Sequence, residues 1–284
     1  MKERLILCCL KFIAFLPWWM LYGLSDCLAF FLYHILKYRR AVVRKNLVEA
    51  FPDKSLTEIK DIEKKYYRYM SDMIVETVKL LNISDKEMAK RAEVIDVDIV
   101  NESLDKGISA VVFLGHYGNW EWVQEISRKL SDKALKGSIY HPLKSKLWDS
   151  VYLKIRSRWG AYLLPQSKAV RALLRRDNQP WVFGFIADHR SNYGDLHGTV
   201  DFLNHPTEFI VGPETIGTKV GAEFFYLDVV RQKRGYYKLI FKKLKPIQGE
   251  QFYPYTRAFW HEFEKSIIKN PPYWLWSHKR WKIV

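Results

Sequence analysis

One stretch constrains the fold of this chain most strongly: GISAVVFLGHYGNWEWVQE, residues 107–125. The apolar run 108–114 is rich in β-branched and aromatic residues and has a glycine at each end. An unbroken apolar run of this length is typical of a strand that is buried on both faces, as in a parallel sheet. The sequence therefore predicts an α/β fold, with a mostly parallel central sheet flanked by helices.

The polar residues after this strand predict an active site. His116 is placed at the carboxyl end of the strand, where open α/β sheets bind their ligands. Asn119 is a favourable N-cap for a helix that we expect over 120–130. Glu121 would then lie in the first helical turn. We expect its carboxylate to hold one imidazole nitrogen of His116 and to leave the other nitrogen free as a general base.

The same loop offers donors for a developing negative charge. The backbone N–H groups near Gly118 and Asn119 are candidates for stabilising an oxyanion, so we count Asn119 among the substrate-binding residues. The alternative interpretation is a loop histidine without chemistry, next to a Glu121 that only complements the helix dipole. The catalytic interpretation is favoured because the buried strand, the glycines on both sides of it and the Asn119 cap all place His116 at the sheet edge.

A second apolar strand predicts a further site residue. The run 181–187 resembles 108–114 in composition and is followed by Asp188. An acid at the end of a parallel strand would share the sheet edge with His116. The alternative role for Asp188 is to cap a turn with its carboxylate.

The N-terminal residues predict a membrane anchor. Residues 5–24 are apolar except for Lys11, and 20 residues suffice to span a bilayer core. Lys11 and the cluster Pro17-Trp18-Trp19 make a tilted, half-inserted or re-entrant arrangement the alternative to a full span. A cleaved signal peptide is the third possibility, although bulky residues occupy the zone where a cleavage site needs small ones.

Basic residues between 37 and 45 follow the apolar stretch directly. By the positive-inside rule they hold the bulk of the chain in the cytoplasm and contact anionic headgroups. We therefore divide the chain into an anchor with its basic flank, 1–45, and an α/β domain, 46–284.

Composition limits the partners. Lys and Arg outnumber Asp and Glu by 46 to 31, a formal net charge of +15, which indicates an anionic partner. No nucleic-acid-binding module is recognisable, so we predict no nucleic-acid partner. The three cysteines all lie in the first 27 residues, and the histidines at 189, 197 and 205 fit no metal-binding spacing. We expect no metal and no cofactor.

The remaining pattern predicts alternating helices and strands. Ser55, with Glu58 three residues later, is a capping box for a helix over 59–81. The polar segment 191–207 is expected to be a loop over the site. Further strands are expected within 94–105, with a turn, and over 135–140, 222–230 and 236–241, and further helices over 145–159, 169–176, 213–220 and 259–269.

Several motifs together resemble one family. The sequence HYGNWE resembles the active-site motif of glycerolipid-type acyltransferases, and more narrowly that of the bacterial lipid A biosynthesis acyltransferases. The stretches RKNLVEAFPDKS and GPETIGTKVGAEFFYLDVV and the C-terminal YWLWSHKRW also resemble that family, in the same order. The resemblance covers nearly the whole chain.

The resemblance implies roles for further residues. Asp188 occupies a place where the family has an Asp. The C-terminal motif makes His278 and Arg280 candidate substrate-binding residues. His141 stands where family members usually have an Arg, which is thought to contact a phosphate or the developing charge. A neutral His lacks the paired, charge-assisted donors of an Arg, so this departure bears on substrate identity.

The resemblance also implies an activity. A fatty acyl chain would move from an acyl thioester, either acyl-carrier protein or acyl-CoA, to a hydroxyl of a lipid A-type glycolipid. The enzyme would be held at the cell inner membrane, with the catalytic domain on the cytoplasmic face. Two alternatives stay open: an acyltransferase for another membrane lipid, such as an aminolipid or phosphoglycolipid, and a non-catalytic lipid-binding protein.

Overall fold

The protein is described by a computed structural model over residues 2–175, 179–189 and 197–281. Within these residues the expected α/β fold is confirmed. Seven strands form the central sheet and two form a separate hairpin. The strands are β1 Ala92–Ile95, β2 Ala110–Leu114, β3 Leu135–Tyr140, β4 Tyr162–Pro165, β5 Trp181–Ile186, β6 His197–Phe202, β7 His205–Ile210, β8 Glu223–Lys233 and β9 Tyr236–Lys243.

The sheet has the order β1-β9-β8-β2-β5-β3-β4. All neighbouring strands are parallel except β8 and β9, which form an antiparallel hairpin. β2 lies at the centre, and all five of its residues are buried. A strand buried on both faces has no polar alternation, which explains the unbroken apolar run in the sequence.

Ten α-helices surround the sheet in the described part of the chain. They are α1 Lys2–Phe15, α2 Trp18–Phe30, α3 Arg40–Ala50, α4 Leu56–Lys79, α5 Asp85–Arg91, α6 Asp98–Asp105, α7 Lys146–Arg156, α8 Gln166–Leu174, α9 Gly212–Lys219 and α10 Pro254–Lys269. The expected capping box of α4 is present: Ser55 Oγ accepts from the backbone N–H of Glu58, whose carboxylate accepts from the N–H of Ser55.

The apolar N-terminal stretch is divided between two helices. α1 ends before Pro17, and α2 begins after it, because proline removes a backbone donor and disfavours helical geometry in the residue before it. Among the described residues, no single helix is long and apolar enough to cross a membrane. The segments Trp18–Ile35 and Arg40–Ala50 reach that length and composition only together, with an 88° bend between them. The anchor and the boundary at residue 45 stay predictions.

Three local expectations were wrong. The strand within 94–105 is shorter and lies earlier, at β1, and the residues after it form α6. Part of the expected loop 191–207 pairs instead as β6 and β7, while 191–196 lie outside the described residues. The helix expected over 120–130 is a 3₁₀ helix, Trp122–Arg128.

Candidate active site

The ends of two neighbouring strands bring His116 and Asp188 together. β2 and β5 are parallel, and their last residues, Leu114 and Ile186, are paired. His116 and Asp188 each lie two residues beyond these ends. The same strand register that fills the core therefore places an imidazole beside a carboxylate at one edge of the sheet.

The contact between them is direct. His116 Nδ1 lies 2.7 Å from Asp188 Oδ1, and the backbone N–H of His116 donates to Asp188 Oδ2 at 3.0 Å. Trp274 Nε1 also donates to Oδ2, at 2.9 Å. An ionised carboxylate only accepts hydrogen bonds, so Nδ1 of His116 carries the hydrogen. Nε2 is then the nitrogen that is left to accept a proton.

The charge of Asp188 is fixed by these neighbours. Its side chain is 3% exposed and that of His116 is 13% exposed. Burial alone would raise the pKa of Asp188, but the interactions with His116 and the indole N–H of Trp274 hold the pKa well below its usual range. Asp188 is thus an anion beside an imidazole, as a general base requires of its partner.

The expected contact between Glu121 and His116 is absent among the described residues. Glu121 instead makes a two-bond ion pair with Arg156 on α7, with Nε–Oε2 and Nη2–Oε1 distances of 2.9 and 2.6 Å. Asp188 takes the place beside the imidazole that the sequence analysis assigned to Glu121. His116 is turned towards Asp188 after β5, whereas Glu121 is turned towards Arg156 on α7.

Asn119 also differs from expectation. It is completely buried, and its Nδ2 donates to Glu76 on α4 at 2.7 Å, so its side chain neither caps the following helix nor faces a substrate. The backbone N–H of Gly118 donates to the carbonyl of Tyr273 at 2.9 Å and is not available to an oxyanion.

The C-terminal motif packs against the histidine loop. The N–H of Leu275 donates to the carbonyl of His116 at 3.1 Å, and Tyr117 forms a β-bridge with Trp274. These contacts explain why the C-terminal aromatic motif accompanies the His116 motif. The motif also contacts α4, since the rings of Tyr69 and Tyr273 lie 5.4 Å apart and the N–H of Ser277 donates to the hydroxyl of Tyr66.

Two further histidines extend from His116. The ring centroid of His189 lies 4.2 Å from that of His116 and 5.7 Å from that of His278. Burial lowers the pKa of His278; Arg280, His116 and Arg39 act in the same direction and Asp188 opposes them. His278 is therefore placed near the site as a neutral imidazole at pH 7.

The other expected substrate residues lie in different surroundings. Arg280 is buried, donates through Nη2 to the carbonyl of Glu208, and stacks over Trp260 with 5.0 Å between the guanidinium carbon and the ring centroid. His141 is exposed in the segment after β3, at the same sheet edge as His116.

A narrow apolar cavity of about 40 Å³ adjoins the site. It lies along β2, β3 and β5 and reaches Trp120, whose ring packs edge-on against that of His116 with 5.0 Å between centroids. Arg156 is its charged lining residue. Its apolar lining residues include Val112, Leu114, Val123, Ile126, Leu130, Ile139, Val182 and Ile186.

Arg156 was not identified from the sequence. It belongs to a basic amphipathic helix in which nothing distinguishes it from its basic neighbours. Only the fold brings it to Glu121. In the part of the chain that the structure describes, no group of three or more His, Cys, Asp and Glu side chains is arranged to hold a metal ion.

The chain is similar in sequence to known proteins. Residues 3–283 match the family described as bacterial lipid A biosynthesis acyltransferase. The phosphatidylinositol mannoside acyltransferase of Mycobacterium tuberculosis is 24% identical over 259 residues, which cover 84% of this chain and 76% of that protein. The protein of the same name from Mycolicibacterium smegmatis is 23% identical over 216 residues, 72% of this chain and 67% of that protein. The chain therefore belongs to the bacterial lipid A biosynthesis acyltransferase family and is an acyltransferase.

Proposed function

We propose that this acyltransferase moves a fatty acyl chain from an acyl thioester to a hydroxyl of a membrane glycolipid, with His116 as the general base and Asp188 as the carboxylate that orients it. The observation that carries the proposal is the 2.7 Å contact between His116 Nδ1 and Asp188 Oδ1. It fixes the tautomer that leaves Nε2 as the proton acceptor.

The reaction follows from that arrangement. Nε2 of His116 removes the proton of the acceptor hydroxyl as the oxygen attacks the thioester carbonyl. The tetrahedral intermediate collapses, the C–S bond breaks, and the leaving thiolate takes the proton from the imidazolium. Asp188 stays ionised throughout and stabilises the imidazolium charge. No covalent acyl-enzyme is required.

The cavity beside Trp120 is proposed to receive the start of the acyl chain, because its volume of about 40 Å³ is too small for a whole fatty chain. Most of its lining side chains are aliphatic or aromatic, and one of them, Trp120, packs against the imidazole ring. Burying methylene groups in such a site is favourable by about 0.8 kcal/mol each. A chain that enters there would carry its thioester carbonyl to the edge of the sheet where His116 lies.

Two glycolipid classes are proposed as acceptors. The family description favours a lipid A-type glycolipid, whereas the similar mycobacterial proteins are named for phosphatidylinositol mannoside. Both classes are anionic membrane lipids with free sugar hydroxyls, and both suit a chain of net charge +15. The same charge favours an acidic acyl-carrier protein as the donor, with acyl-CoA as the other thioester to be tested.

Membrane association is proposed through the N-terminal helices. Phe12 and Phe15 on α1 and Trp19 on α2 are 69, 69 and 75% exposed. Exposed aromatic rings, together with the basic residues between 37 and 45, suit an anionic bilayer surface. The cytoplasmic face of the inner membrane is the location that we propose.

Purified protein with defined lipids tests the proposal. Vesicles containing a lipid A precursor or phosphatidylinositol mannoside are supplied with acyl-carrier protein thioester or acyl-CoA, and the products are read by mass spectrometry. We expect the mass of one acyl chain to be added to one acceptor. His116→Ala should lower the rate by roughly 10²–10⁴-fold, the usual contribution of a general base. A His116→Ala variant that keeps more than half the wild-type rate would contradict the mechanism, and lipid binding without transfer would favour a binding protein.

A further inference from the structure

The carboxylate of Glu76 is buried near the active site without belonging to the acid–base pair. Glu76 lies in the C-terminal half of α4 and is 0% exposed. Its Oε2 accepts from Asn119 Nδ2 at 2.7 Å and from the hydroxyl of Tyr237 at 2.8 Å, and its Oε1 accepts from the hydroxyl of Tyr22 at 3.1 Å. Each of these three donors comes from a different part of the fold.

Towards the active site, Glu76 and its helix hold the loop that bears His116. Asn119 lies three residues after His116, and among the described residues its Oδ1 has no hydrogen-bond partner. The bond to Glu76 is therefore what fixes this side chain. The same helix contacts the loop twice more: Tyr69 donates to the carbonyl of Gly118 at 2.5 Å, and Trp122 Nε1 donates to the carbonyl of Glu76 at 3.3 Å.

Towards the N-terminus, Glu76 contacts a helix with an exposed apolar side. Tyr22 belongs to α2, and Ser25 on the same helix donates to Asp72 of α4 at 2.6 Å. Trp19 of α2 is largely exposed. A single carboxylate thus joins the helix proposed to meet the bilayer with the loop proposed to carry the base.

The surroundings of Glu76 make its charge sensitive to pH. Burial raises its pKa to about 7; Asp72 acts in the same direction, while Arg231 and the hydrogen bonds from Tyr237 and Asn119 oppose it. The titratable and charged groups that face it are Tyr22 on α2, Tyr69 and Asp72 on α4, Arg231 on β8 and Tyr237 on β9.

We propose that Glu76 is a positioning residue for acyl transfer, which holds the His116 loop in its productive geometry through Asn119 and is itself held by Tyr22 and Tyr237. The proposal rests on the proposed function, in which His116 is the base. A small displacement of a general base is costly because proton transfer needs hydrogen-bond geometry. Glu76 acts through the loop and touches no substrate.

The test is Glu76→Gln, which keeps the volume and removes the charge. An amide cannot accept from Asn119 and Tyr237 as strongly as a carboxylate does, so we expect kcat at pH 8 to fall by about tenfold and KM for donor and acceptor to stay within about twofold. The matched control is Glu63→Gln, because Glu63 is also fully buried on α4 but pairs with Arg40 and Arg44, away from the loop. Its kcat should stay within about twofold of wild type.

The ratio of wild-type to variant kcat, measured from pH 5.5 to 8.5, separates positioning from a general structural effect. Both proteins keep His116, so the ratio isolates the contribution of Glu76. Wild-type Glu76 gains its proton as the pH falls through about 7, so the ratio should be largest above that pH and approach one below it. A ratio that is flat with pH, or an equal loss in Glu63→Gln, would overturn the proposal.

A second variant keeps the test decisive if Glu76→Gln does not fold. Tyr237→Phe removes a hydrogen bond that favours the ionised carboxylate. Protonation of Glu76 should therefore lower kcat at a higher midpoint pH than in wild type. An unchanged pH profile would overturn the proposal. Failure of the proposed function looks different: His116→Ala would then keep its activity, whatever the Glu76 variants do.

Discussion

At the scale of single residues, the position of one hydrogen decides what His116 can do. Asp188 accepts three hydrogen bonds: from the backbone N–H of His116, from Nδ1 of the His116 ring and from the indole N–H of Trp274. Three donors on one buried carboxylate leave little freedom for the imidazole to rotate or change tautomer. The loop sequence alone does not supply this arrangement, because the carboxylate lies 72 positions later in the chain, just beyond β5.

The apolar cavity gives a second residue-scale prediction, at Gly184. A Cβ atom added there would meet Leu114 Cδ2 and Ser138 Oγ at an ordinary 3.6 Å, so the strand accepts a side chain. Gly184→Leu should fill the cavity and lower kcat/KM for fatty acyl thioesters by about tenfold more than for an acetyl thioester. Assays with donors of graded chain length check this.

Gly184→Ala is the matched control and should keep the wild-type preference for chain length. An unaltered preference in Gly184→Leu would mean that the acyl chain lies elsewhere. The neighbouring Gly137 is unsuitable for this test, since its added Cβ would lie 2.4 Å from the carbonyl of Tyr162.

At the scale of elements, parallel strand register determines the site. Strands β2 and β5 could be predicted from their apolar runs, because strands buried on both faces show no polar alternation. Their common direction then placed His116 and Asp188 at one edge. The capping box of α4 could be predicted because it is a local contact, between residues three positions apart.

Side-chain partners supplied by other segments of the chain could not be predicted from the sequence. Glu121 is five positions from His116, and spacing alone did not show that it would face Arg156 on α7. The hairpin of β6 and β7 has a polar sequence and a turn, Leu203 and Asn204, with positive φ angles. A polar segment with such a turn has the composition of a loop, which is why the pairing was missed.

Helix α4 offers an element-scale prediction for stability. The pKa of Glu76 is raised to about 7, so its favourable contribution to folding is complete below the unfolded value near 4.5 and is lost as the pH rises through about 7. Glu76→Gln lacks this titration. From pH 5 to pH 8, wild type should lose up to about 3 kcal/mol of unfolding free energy relative to the variant.

Urea unfolding of both proteins at the two pH values measures that difference. The unfolding free energy of wild type minus that of the variant should be larger at pH 5 than at pH 8. The reverse order would mean that Glu76 is ionised in the folded protein at both pH values and that burial is not what governs it.

At the scale of the whole molecule, the basic charge and the exposed N-terminal aromatics indicate the same partner. Salt screens the attraction of basic residues to anionic lipids, but it does not weaken apolar insertion. The protein should therefore stay with anionic vesicles in a flotation assay at high salt. The triple substitution Phe12→Glu, Phe15→Glu and Trp19→Glu should release most of it.

Phe252→Glu is the control for that experiment, since Phe252 is equally exposed, at 70%, but lies outside the N-terminal helices. Release of wild-type protein by salt alone would show that the N-terminal helices are not inserted. Composition and hydropathy predicted a membrane partner, but the break at Pro17 left open whether the chain spans or only enters the bilayer.

The central claim is that Asp188, and not Glu121, is the carboxylate behind the general base. Steady-state kcat of Asp188→Asn and Glu121→Gln tests it most directly. Asn at 188 removes the charge that stabilises the imidazolium and the acceptor that fixes its tautomer, so kcat should fall roughly 10²–10⁴-fold. Glu121→Gln disturbs only the pair with Arg156, and its loss should be at least about tenfold smaller. A greater loss in Glu121→Gln than in Asp188→Asn would contradict the account.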